Sequence, residues 1–119
     1  MVTSDLSARI NDVLRYVGIT RNMNAYMILL QALTLIAENE DRLRAVEKEI
    51  YTPIADKTLR GPRAVQSTVR RASKVAWDFF PDRVQALAGY PLNGRPSAVA
   101  MLELLYNGVA RYDDLSILK

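Results

Sequence analysis

The chain has 119 residues, 50% of them apolar and 24% charged, with a net charge of +3 and neither cysteine nor histidine. That length fits one compact domain with a real core, while the missing residue types exclude disulfides, thiolate metal sites and the commonest general base. No signal-peptide pattern opens the chain and no apolar run is long enough to span a bilayer, so a soluble, cytoplasmic protein without a membrane partner is expected.

Apolar residues recur at intervals of three and four, which predicts helices throughout. The first runs over about residues 5–17, with Leu6, Ile10, Val13, Leu14 and Val17 as its stripe, Ser4 as its cap and Gly18 as its end. Asn22 can cap a second helix reaching Glu38, with Tyr26, Leu29, Leu30, Leu33 and Ile36 facing inward. Met27 to Leu30 has the composition of a buried strand, but its flanks favour the helix. A third helix follows, with Leu43, Val46, Ile50 and Ile54 on one side and Pro53 set to kink it. Arg60-Gly61-Pro62 is a turn signal, in which Gly permits a left-handed backbone and Pro suits the first position of the next helix. The fourth helix extends from Pro62 to about Phe79, and Pro81 starts a short fifth one ending near Gly89. Residues 90–96 read as a loop, and Ser97 caps a sixth helix through Val99, Met101, Leu102, Leu105 and Tyr106. No strand pattern or repeat competes with this reading.

Charge is unevenly placed. Between Lys57 and Trp77 lie Lys57, Arg60, Arg63, Arg70, Arg71 and Lys74 with no acidic residue, so the rest of the chain is net −3. At about 100° per residue, Val65, Val69, Ala72 and Ala76 fall on one side of the fourth helix. Arg63, Ser67, Arg70 and Lys74 fall opposite them, with Gln66 and Arg71 on the flanks. A solvated basic face ordinarily carries interspersed Glu or Asp. This one does not.

A helix, a tight turn and a second helix with a basic outer face describe a helix-turn-helix, expected over about residues 43–77. The second helix, residues 62–77, would enter the major groove, where Arg bridges guanine O6 and N7 and Gln bridges adenine N6 and N7. Lys57 and Arg60, near the turn, would meet phosphates and fix orientation. Trp77, Phe79 and Phe80 resemble a base-stacking platform in type, but three aromatics beside Pro81 are expected to form a core corner. The rival is a protein-interaction module whose basic helix docks on an acidic partner such as the transcription machinery. Catalysis is not expected. Glu47 and Glu49 do not share a face, Asp113-Asp114 lies in a tail, and there is no phosphate loop, cofactor motif or metal-ligand cluster.

The run IYTPIADKTLRGPRAVQSTVRRASKVAW, from Ile50 to Trp77, resembles the DNA-binding effector domain of the sporulation stage-zero master regulator, protein A. Val17-Gly18-Ile19, Asn24-Ala25-Tyr26, Leu87-Ala88-Gly89-Tyr90 and Arg95-Pro96-Ser97 extend the likeness over about residues 6–110. The resemblance implies an all-α six-helix bundle, unlike a winged helix. It also implies binding to double-stranded promoter DNA, often as a head-to-tail homodimer, and contact with RNA polymerase to regulate transcription in sporulation. It places base and phosphate contacts at the positions of Gln66, Ser67, Arg70 and Arg71. Arg70 matches the family pattern, whereas Gln66, Ser67 and Arg71 stand where members typically have Glu, Arg and His. Members usually carry an N-terminal receiver domain, which a chain of 119 residues is too short to include. The expectation is one helical DNA-binding domain over residues 1–119.

Overall fold

The computed structural model describes residues 2–112, all α-helical in architecture, with no strand among them. Six helices, α1 (Val2–Tyr16), α2 (Asn24–Glu38), α3 (Thr52–Thr58), α4 (Pro62–Phe79), α5 (Pro81–Ala88) and α6 (Ala98–Ala110), surround one core. α2 lies at its centre, packing on α1, α3, α4 and α6. Its Leu29, Leu33 and Ile36 meet Ile10, Val13 and Leu14 of α1 and Met101, Leu102 and Leu105 of α6 in one buried cluster. Each such side chain contributes about 1.5–3 kcal/mol when fully buried.

Several local expectations change. α1 already runs at Val2, so position 4 lies within the helix rather than at its start. Met23 rather than Asn22 precedes α2, and Asn22 instead accepts the Thr20 hydroxyl. The continuous third helix is divided into a 3₁₀ turn (Glu40–Arg44), a π-helical turn (Glu47–Tyr51) and α3. Pro53 explains the break. It has no amide to donate, and its ring would strike the carbonyl of Glu49 in a regular helix. The preceding turn widens, with the Thr52 amide reaching the Glu47 carbonyl, and Pro53 falls in the first turn of α3, where it is tolerated. Ser97 behaves as expected, its hydroxyl accepting the Ala100 amide at 3.1 Å. The acidic pair Asp113-Asp114 lies outside the described residues.

Two helices end through left-handed residues of different kinds. α1 ends with the Gly18 amide on the Arg15 carbonyl (3.0 Å) and the Ile19 amide on the Leu14 carbonyl (2.8 Å), Gly18 taking φ +88°. α3 ends with the Arg60 amide on the Ala55 carbonyl (3.3 Å), and here the left-handed residue is Leu59, at φ 58°. Gly61, expected to supply that conformation, has φ −78°. The position is set by where α3 stops: its last residue is Thr58, so the left-handed residue falls at Leu59, two before the glycine. Phe79 also departs from the expected core corner: it is 71% exposed, while Trp77 packs partly buried against the core.

Candidate nucleic-acid interface

α4 starts at Pro62, whose fixed φ suits the first helical position, and the Gly61 carbonyl accepts from the Ala64 and Val65 amides. Its inner face is narrow and small. Val65, Val69, Ala72 and Ala76 are buried as the periodicity predicts, and so are Thr68 and Ser73. Small side chains at the contact let the helix lie close against α2 and the 47–51 turn. The two hydroxyls are paired within the fold. Thr68 donates to the Ala64 carbonyl at 3.0 Å, and Ser73 donates to the Pro96 carbonyl at 3.0 Å, which ties the 90–97 loop to α4. Neither was singled out by the sequence. They sit roughly 60° and 80° from Val65 on the wheel, at the rim of the stripe, where a hydroxyl does not announce burial.

On the outer face Arg63, Gln66, Arg70, Arg71 and Lys74 are exposed and Ser67 is half-buried. Lys57, near the end of α3, and Arg60, in the turn, are exposed too. The Arg70 guanidinium leans to the Ser67 hydroxyl at 3.4 Å and Arg71 to the Thr68 hydroxyl at 3.4 Å, both long contacts. Lys74 is different: its Nζ meets Asp78 Oδ2 at 2.6 Å, so the acid just beyond Trp77 reaches back to the basic face. Among the described residues, Lys57, Arg60, Arg63, Arg70 and Arg71 have no carboxylate partner. Several cations elsewhere serve the fold. Arg42 donates to the Leu35 carbonyl and pairs with Glu38, Arg83 donates to the Tyr16 carbonyl, and Arg111 to the Leu87 carbonyl.

Beneath α4 lies Tyr51, 3% exposed, its hydroxyl buried and without a hydrogen-bond partner among the described residues. Burial pushes the phenol above its ordinary value of 10.0, and the positive charge of Arg70 pulls against that rise. The outer cations therefore stand over a closely packed base.

The family described as Sporulation initiation factor Spo0A C terminal matches residues 10–109. The chain belongs to that family. Spo0A C-terminal domains are DNA-binding effector domains of transcription regulation in sporulation, so DNA binding is the function class here. The match spans α2 to α5 entire, the second half of α1 and nearly all of α6, and thus all the predicted contact residues. Among the described residues no helix is long and apolar enough to cross a membrane.

Proposed function

We propose that the chain is a single sequence-specific, double-stranded DNA-binding domain that inserts α4 into the major groove. The observation supporting this is the division of α4: small buried side chains on one side and, on the other, Arg63, Arg70 and Arg71 with no carboxylate partner among the described residues. A helix so seated projects enough to enter a groove about 12 Å wide. Arg70, at the centre of the face, has the fork geometry for guanine O6 and N7, and Gln66 has the amide for adenine. Lys57, Arg60, Arg63, Ser67, Arg71 and Lys74 bind phosphates or flank the bases, fixing register without reading sequence. α3, the turn and α4 then act as the helix-turn-helix. Family membership supports regulation of promoters, with two copies head to tail on DNA and contact to RNA polymerase, in the cytoplasm.

The test combines sequence selection with mutation. Selection from a random duplex pool should return a defined site, and binding should weaken with salt at a log-log slope near about −4 to −5 if five cations meet phosphates. Arg70→Ala should relax one base position and cost about 1–3 kcal/mol of binding. Lys57→Ala should weaken all sequences alike. No duplex binding at low salt would instead leave the basic face as a docking surface for an acidic protein.

A further inference from the structure

Leu59 is the one non-glycine residue with positive φ among those described, and it is 96% exposed. The other left-handed positions are Gly18 and Gly89, each closing a helix. Helix ends of this kind select glycine, or asparagine, because a Cβ is crowded there by the backbone. Leucine therefore has no conformational advantage at this position. It has no packing advantage either, since almost none of its surface is covered. A residue that satisfies neither local geometry nor the core points to a use outside the chain.

Its surroundings say what kind of partner it meets. Exposed Lys57 and Arg60 bracket it and exposed Arg63 follows in the first turn of α4, against a single exposed acid, Asp56. A polyanion is favoured there. A turn that precedes a groove-entering helix lies at the groove's edge, alongside the sugar-phosphate strand. The apolar part of that strand is the deoxyribose. We infer that Leu59 is a DNA-backbone contact, its side chain lying against deoxyribose between phosphates held by Lys57 and Arg60, an inference that rests on α4 entering the groove.

The test uses the whole chain with Leu59→Asn, which keeps the left-handed turn and removes the apolar group, and Leu59→Met, which keeps an apolar side chain. Affinity is titrated on the selected duplex and on a random one, and thermal unfolding is followed in parallel. Leu59→Asn should bind both duplexes about fivefold more weakly, because sugar contacts do not read sequence. Its salt slope should match the parent's, since no charge is lost. Its unfolding midpoint should rise, as asparagine tolerates the turn better. Leu59→Met should bind as the parent does. Parent-like binding by Leu59→Asn, or equal weakening of both variants, would overturn the inference while leaving the role of α4 intact. A parent chain that binds neither duplex at low salt would remove both.

Discussion

α1 and α3 finish in the same way, each through a left-handed residue with the next amide returning to a carbonyl five residues back. Their surroundings are opposite. At α1 the fold closes over the turn: a Cβ on Gly18 would lie 2.5 Å from Cε2 of Phe80, whose ring is overlaid by Arg83. At α3 nothing covers Leu59. One turn is filled from inside, so its residue is chosen by space. The other sits between exposed Lys57 and Arg60, and its residue is unexplained by space or by backbone preference. Shared backbone geometry thus separates a position governed by packing from one governed by recognition.

The strongest way to break this comparison is Gly18→Ala. Left-handed strain and the clash with Phe80 together should lower stability by about 3 kcal/mol, read from denaturant unfolding. A loss under about 1 kcal/mol would mean that the ring yields freely and the turn is not sealed. Ser73→Ala extends the packed side onto α4. Leaving the Pro96 carbonyl unpaired should cost about 1–2 kcal/mol of stability, with the base preference retained once the protein is folded.

Tyr51→Phe probes the layer between the two sides. Removing a buried hydroxyl that has no partner among the described residues should raise stability by up to about 1 kcal/mol. The same variant has a pH signature. Because the folded state raises the Tyr51 pKa, its neutral form contributes stability that is intact below pH 10.0 and lost as pH climbs through the raised value. Unfolding midpoints should therefore fall less for the Phe variant than for the parent between neutral pH and strongly alkaline pH. Asp78→Asn is the smallest change. Releasing the exposed Lys74 should alter stability by no more than about 0.2–1 kcal/mol, yet tighten binding to any duplex at low salt. Unchanged DNA affinity would place Lys74 outside the interface.

The helices with continuous apolar stripes were legible because periodicity reports burial directly: Ile10 to Val17, Leu29 to Ile36, and Val65 to Ala76 all lie where their spacing puts them. Pro62 and Ser97 were legible because each has one good position at a helix start. What failed was register. Pro53 foretold a disturbance, but not that the turn before it would widen and leave α3 only Thr52–Thr58 long. Gly61 drew attention from Leu59 because glycine marks left-handed backbone on average, whereas helix length decides which residue must adopt it. The outer face of α4 was readable as a pattern of charge. The Lys74–Asp78 pair follows the ordinary four-residue helix spacing, with Asp78 one residue beyond the basic stretch. The Ser73 tie and the covered Tyr51 hydroxyl were not readable, since each depends on packing against another element.

Arg83 lies over the Tyr16 ring and donates to the Tyr16 carbonyl, a bond between residues 67 apart in sequence. Such a closure comes late when a chain assembles, because distant segments must first lose their freedom before they meet. α1 can therefore form its helix early but not its finished end, which waits for α5 to arrive with Phe80 and Arg83. Slowing that arrival should delay completion of the whole bundle while leaving early helix formation untouched.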